Sequence, residues 1–251
     1  DPQLLVRRPK RSSAMEACTL PAVWTTAHVV LKRASMSQRM KFLLHGAAGG
    51  VGLSSVCYMR WLGARPAATA GHRAKHTVLR SLELDTCCSS RDAVAFGFGL
   101  PRAARGHRFV GICNSLSEDF IPVSTASLCE DGAFCEIGKR GAWSVSRMGA
   151  GSMCAPCVID LATDIPSHPL SYHSMLCKLA TRLRLRVVSG LPASSFSVFR
   201  VHDALRLLRA GSHVGKVVVV SPLSTLRKPP PPPLAVAAVQ GLRTDSAATQ
   251  T

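Results

Sequence analysis

The chain has 251 residues, 47% of them hydrophobic and 18% charged, which supplies a sizeable buried core and excludes a disordered polyelectrolyte. Its net charge of +17, from 31 Lys and Arg against 14 Asp and Glu, would suit a polyanion, but only 5% of the residues are aromatic. The arginines are scattered apart from Arg7-Arg8-Pro9-Lys10-Arg11 and Arg182–Arg186, so a stacking surface for nucleic acid is not expected.

Arg, Lys or Pro interrupts every apolar stretch before it reaches membrane-spanning length, and Asp1-Pro2-Gln3 begins no signal-peptide core. The expectation is a soluble protein with no membrane partner, placed in the cytoplasm with a plastid left open. Asp1 in place of an initiator Met suggests a piece of a longer chain. Cys57, Cys113 and Cys135 lie in apolar runs and read as reduced, packed thiols. Cys154-Ala155-Pro156-Cys157 is a single C-x-x-C without a second pair, weak support for zinc, and no metal is assigned.

In chain order, residues 1–16 are basic and polar and read as a flexible lead-in. Residues 17–32 suit a helix with Pro21 in its first turn, and 35–39 a polar turn. Met40–His45 is a short apolar strand. It runs into Gly46-Ala47-Ala48-Gly49-Gly50-Val51-Gly52, and Gly50–Trp61 follows as a helix closed by Leu62-Gly63-Ala64. Glycines at 46, 49 and 52 let the backbone turn sharply and approach a ligand, and the exposed N–H groups at a helix start suit a pyrophosphate. A plain tight turn or a close helix–strand contact is the competing explanation.

A second strand is expected at Ala67–Ala70, shortened by Pro66. After such a strand an acidic residue would bind a ribose 2′-hydroxyl. This chain has Gly71-His72-Arg73-Ala74-Lys75-His76, and Arg73 and Lys75 favour a 2′-phosphate, hence NADP. A solvated basic helix start is the alternative.

Further on, the pattern predicts a helix over 73–82, a strand over 85–89, a loop over 97–106 and a strand from Phe109 to Cys113 ending at Asn114-Ser115. A helix over 120–129 and a turn at Asp131-Gly132 lead to a strand over 133–137 that ends at Gly138-Lys139-Arg140. An extended piece over 153–161, helices over 170–183 and 201–210, and a strand over 216–220 complete the pattern. Strands alternating with helices imply an α/β fold with a doubly wound parallel sheet, Rossmann-like, over residues 17–220. Residues 221–251, with Pro229–Pro233, read as a proline-rich linker or disordered tail.

Four stretches, taken together and in this order, resemble the enoyl reductase domain of modular polyketide synthases and animal-type fatty acid synthases, within the medium-chain dehydrogenase/reductase superfamily. They are Thr19-Leu20-Pro21 with Thr25-Thr26-Ala27; Gly46–Gly52 with Ala70-Gly71 and Lys75; Asn114-Ser115-Leu116-Ser117 with Glu136-Ile137-Gly138-Lys139-Arg140; and His213-Val214-Gly215-Lys216-Val217-Val218. The resemblance implies an NADPH-dependent reduction of an α,β-unsaturated thioester carried on an acyl carrier protein, with other synthase domains as partners and no metal.

By motif it implies that Gly49, Gly50, Val51 and Gly52 hold the pyrophosphate and Lys75 the 2′-phosphate, beside the Gly46 and Arg73 already read as cofactor-binding. Asn114 and Ser115 would hold the nicotinamide-side ribose, with Gly138, Gly215 and Lys216 also along the cofactor. Lys139 matches the proton donor and Asp160 its acidic partner; a solvated loop lysine and a helix cap are the competing explanations. The family's GroES-like barrel would precede residue 17. His72, Pro66 and Arg108 depart from the family pattern, and residues 143–156 match it poorly. The expectation is therefore a cofactor fold with weak or no reductase activity by itself. A non-catalytic NADPH-binding or structural remnant and a free-standing quinone oxidoreductase relative are the alternatives.

Overall fold

The structure, a computed structural model, describes residues 2–84, 87–139, 141, 143–151 and 154–221. Six strands form one all-parallel sheet in the order β3-β2-β1-β4-β5-β6. They are β1 (Lys41–Leu44), β2 (Arg65–Ala70), β3 (Cys87–Ser89), β4 (Phe109–Asn114), β5 (Leu128–Glu136) and β6 (Ala155–Val158). The doubly wound expectation is met, and the strand order reverses between β1 and β4, where such sheets open a crevice for ligands.

Helices cover both faces. On one side lie α2 (Pro21–Arg33) and α3 (Gly50–Trp61), and on the other α5 (Ala93–Ala104) and α6 (Phe120–Ala126). Buried strands read as continuous apolar runs because both faces need covering. In β1, Phe42 and Leu44 pack with Val30, Val56 and Met59, while Leu43 faces Phe96, Ile112 and Phe134. A third cluster, Leu20 and Trp24 with Leu179 and Leu183, fastens α9 (Pro169–Arg184) to α2. There the Arg182 guanidinium lies 4.7 to 5.3 Å from the ring centres of Trp24, Tyr58 and Trp61, a cation–π arrangement.

After α9 the chain forms β7 (Ala193–Ser197), α10 (Val201–Ala210) and β8 (Lys216–Val220), the two strands pairing in parallel as a small separate sheet. A bridge between Gly49 and Gly215 seats this unit on the glycine-rich turn. The remaining α-helices are α1 (Ala14–Cys18), α4 (Arg73–Ser81), α7 (Val145–Gly151) and α8 (Leu161–Ser167). Among the described residues no helix is long and apolar enough to cross a membrane.

Several expectations need correction. The loop expected over 97–106 is largely α5: Asp92 caps it by accepting from Ala95 N–H at 2.9 Å, and Phe96, Leu100 and Ala103 bury one helical stripe. That burial overrides the poor helix propensity of Gly97, Gly99 and Pro101. The helix expected over 120–129 ends at Ala126, and Asp131-Gly132 sits inside β5, where the register jumps from Phe109↔Leu128 to Gly111↔Ala133. The extended piece over 153–161 shrinks to β6, because Asp160 starts α8.

Pro66 lies within β2 and does not shorten it: it stands opposite Phe42 of β1, and among the described residues β3 pairs only with Ala68–Ala70. The lead-in is docked: Gln3 carbonyl accepts from His173 Nδ1 at 2.7 Å, and Glu16 Oε1 accepts from Gly190 N–H at 3.2 Å. Of the tail expected over 221–251, residues 222–251 with the proline run lie outside the described residues, as do Asp85, Thr86, Arg140 and Met153.

Candidate functional site

The glycine-rich turn leaves β1 through His45, whose N–H donates to Cys113 carbonyl at 3.1 Å. Gly46 has φ +60°, and its N–H donates to Thr69 Oγ1 at 3.1 Å, so the turn is tied to both flanking strands. A Cβ at Gly52 would collide with the backbone of Ala47; one at Gly50 would stand 2.9 Å from Val23 Cγ1 and 3.0 Å from Lys216 Cδ. Gly215, at φ +71°, donates to Ala48 carbonyl at 2.8 Å, and a Cβ there would collide with Pro192 carbonyl. The close-contact explanation of these glycines thus holds, and it does not compete with ligand binding. Gly49 caps α3 without any side-chain acceptor, so the first-turn N–H groups of Gly50, Val51 and Gly52 have no intrahelical partner and point out of the turn. Such a terminus fits a pyrophosphate.

Beside this terminus stands a cationic corner. Lys75 lies in the first turn of α4, and burial, then the charge of Arg91, holds its ammonium below the usual lysine range. Arg91, just beyond β3, packs against two glycines. Its Nε is 2.8 Å from the place of a Gly71 Cβ and its Nη2 is 3.1 Å from that of Gly211. His213 is likewise lowered by burial and then by Lys75. None of Arg73, Lys75, Arg91 and Lys216 forms an ion pair among the described residues. Arg73, at the first position of α4, is exposed.

Across the switch point runs a buried polar chain. Asn114, fully buried at the end of β4, accepts from His45 Nδ1 at 2.6 Å and donates to Glu136 Oε2 at 2.6 Å. Glu136 Oε1 accepts from Gly138 N–H at 2.6 Å. Burial lowers His45 to about 4, so its ring is neutral at pH 7, and burial raises the Glu136 carboxyl. Ser115, next in the chain, is exposed, with Oγ 3.3 Å from the place of a Gly46 Cβ. Beyond β5 and β6, Lys139 Nζ meets Asp160 Oδ1 at 2.9 Å, while Asp160 also caps α8 by accepting from Ala162 N–H at 3.0 Å. Asp160 is therefore both a cap and an ionic partner.

The structure thus gathers Gly46, Gly49 to Gly52, Ser115, Gly138, Gly215 and Lys216 at the strand ends, with Lys75 at one edge and the Lys139–Asp160 pair beyond β5. A cleft of about 480 Å³ lined by Trp61, Cys177, Lys178 and Arg182 lies elsewhere and contains none of them. Four residues of the site, His45, Glu136, Arg91 and His213, were not expected there from the sequence. The available signal was a polar residue at the end of an apolar strand, present at positions 45 and 136. No local pattern marked Arg91, whose place depends on the packing of Gly71 and Gly211.

No family model matches the chain. Over 230 residues it is 34% identical to erythronolide synthase EryA2 of Saccharopolyspora erythraea, an alignment covering 88% of this chain and 6% of that protein. Over 226 residues it is 32% identical to mycoketide-CoA synthase of Mycobacterium tuberculosis, covering 88% of this chain and 5% of that protein. The chain therefore spans only a small part of these relatives. Among solved structures, CurK enoyl reductase superposes with a TM-score of 0.78 at 31% identity, over 86% of this chain and 65% of that one.

Proposed function

We propose, from the premise that this chain belongs to the enoyl reductase domain family of polyketide synthases and corresponds to its cofactor-binding part, that it binds NADPH across the ends of β1, β2 and β4. The first turn of α3 takes the pyrophosphate, and Lys75 with Arg91 takes the adenosine 2′-phosphate. The observation carrying this assignment is the cationic corner at the end of β2: Lys75 and Arg91 converge with no acidic partner among the described residues, beside a helix start with no side-chain cap. Charge gathered without a counter-ion is what a phosphate-bearing ligand would neutralise.

When bound, NADPH supplies the hydride for reducing a carbon–carbon double bond conjugated to a thioester, here an enoyl group on an acyl carrier protein. Lys139, steered by Asp160, offers positive charge to the developing enolate and a proton to the α-carbon. Residues 17–220 form the cofactor-binding domain and 221–251 a linker toward other synthase domains. The test is calorimetric titration of the chain with NADPH and NADH, with and without Lys75→Ala. NADPH is expected to bind at least about tenfold tighter, and the substitution to remove most of that preference. Binding of neither nucleotide overturns the assignment.

A further inference from the structure

The family resemblance places Asn114 on the cofactor ribose, yet the hydrogen-bonding groups of its side chain are already committed. The amide nitrogen donates to Glu136 Oε2 at 2.6 Å and to Leu116 carbonyl at 2.8 Å. The amide oxygen accepts from Leu116 N–H at 3.3 Å and from His45 Nδ1 at 2.6 Å. An amide side chain has two protons and two lone pairs to offer, so none remains for a ligand. Leu116 also fixes which way round the amide lies, because its N–H can only donate and its carbonyl can only accept. Oδ1 therefore faces His45, and Nδ1 of His45 carries the proton.

We propose that Asn114 is a positioning residue: with His45 and Glu136 it forms a buried brace across the ends of β1, β4 and β5 that holds Ser115 and Gly138 against the nicotinamide half of the cofactor. This inference rests on the NADPH assignment made above. Each member of the brace adjoins a residue of the cleft. His45 precedes Gly46, Asn114 precedes Ser115, and Glu136 Oε1 holds Gly138 N–H at 2.6 Å, where a Cβ on Gly138 would stand 2.7 Å from that oxygen. One residue earlier, the same strands carry Leu44, Cys113 and Cys135, all buried and apolar, so filling the core does not call for polar side chains here. A buried polar network is worth keeping only when every member is satisfied, and then it holds its parts in a single arrangement. Lys75 and Arg91, assigned to the adenosine end beyond β2, make no hydrogen bond to His45, Asn114 or Glu136 among the described residues.

The test compares two ligands by titration calorimetry: NADPH, and adenosine 2′,5′-bisphosphate, which carries only the adenosine end. His45→Leu removes the donor to Asn114, while His45→Asn can donate from the same place. Gly138→Ala disturbs Glu136 from the loop and keeps the experiment decisive if His45→Leu does not fold. The expected result is NADPH weakened about tenfold by His45→Leu and by Gly138→Ala, restored to within about twofold by His45→Asn, with bisphosphate affinity unchanged throughout. Equal loss of both ligands, or undiminished NADPH binding in both variants, overturns the brace. A wild-type chain that binds neither ligand overturns the cofactor assignment beneath it, a result distinct from either.

Discussion

Arg91 occupies the space that any side chain at Gly71 would need, its Nε 2.8 Å from the place of a Cβ there. The first residue after β2 is thus kept bare so that a guanidinium from beyond β3 can lie at the end of that strand. Replacing Arg91 with Ala is expected to lower the ratio of NADPH to NADH affinity about tenfold, with little change in melting temperature. Gly71→Ser is expected to move the ratio the same way by displacing the guanidinium. An unchanged ratio in both variants, measured by calorimetry, would remove Arg91 from the phosphate site.

The Lys139–Asp160 pair lies in the open, the lysine side chain 68% exposed and the aspartate 36%. Hydrogen bonds from Lys139 and then from Ala162 N–H hold the Asp160 carboxyl below its usual range. Because the folded value lies below the unfolded one, the pair favours folding above the unfolded aspartate value, and the contribution fades as pH falls through the folded value. Carbon-13 titration should show Asp160 ionising below ordinary aspartate, and Lys139→Met should raise its midpoint. A midpoint indifferent to the lysine would mean that capping alone holds this carboxylate.

His28 stacks on Trp24 and Tyr58 and bonds Tyr58 Oη at 3.1 Å. Burial, then Lys178, Arg182 and Lys32, lowers its pKa from 6.5 to about 4. The unfolded chain takes up this proton first, so stability is whole above about pH 6.5 and declines as pH falls toward 4. His28→Phe keeps a ring in the stack without the titration. Urea unfolding at pH 7 and at pH 4.5 should show the variant gaining on the wild type at the lower pH. A constant difference would exclude this histidine as a source of acid lability.

Gly52 has no room for even a methyl group, which would collide with the Ala47 backbone at the base of the nucleotide turn. Gly52→Ala should cost about 1–3 kcal/mol, the range for overpacking a tight contact. Gly97, with nothing within 4 Å of its Cβ position, should accept the same change with a small gain in helix stability. Chemical denaturation of the two variants separates them, and equal effects would contradict the packing described.

The parallel sheet was legible because its strands are short apolar runs bounded by glycine and polar residues, and Met40–His45 followed by Gly46–Gly52 shows this plainly. Helix α5 was hidden by Gly97, Gly99 and Pro101, whose unfavourable propensities are outweighed by contacts of Phe96 and Leu100 with distant strands. β7 escaped notice because Ala193-Ser194-Ser195-Phe196-Ser197 carries little hydrophobic pattern, and its pairing with β8 alone defines it. At the candidate site, the glycines of the turn and Lys75 could be marked from spacing, and Lys139 and Lys216 only from the family resemblance. The inward orientation of Asn114 could not, since it follows from His45 and Glu136, which the chain brings together only on folding.

The bridge between Gly49 and Gly215 joins the first strand–helix crossing to the last strand of the described chain. During synthesis on the ribosome the nucleotide turn therefore emerges long before the segment that steadies it. A nascent chain that stops short of Gly215 therefore presents the turn tied to Cys113 and Thr69 but without the hydrogen bond from Gly215 N–H to Ala48 carbonyl.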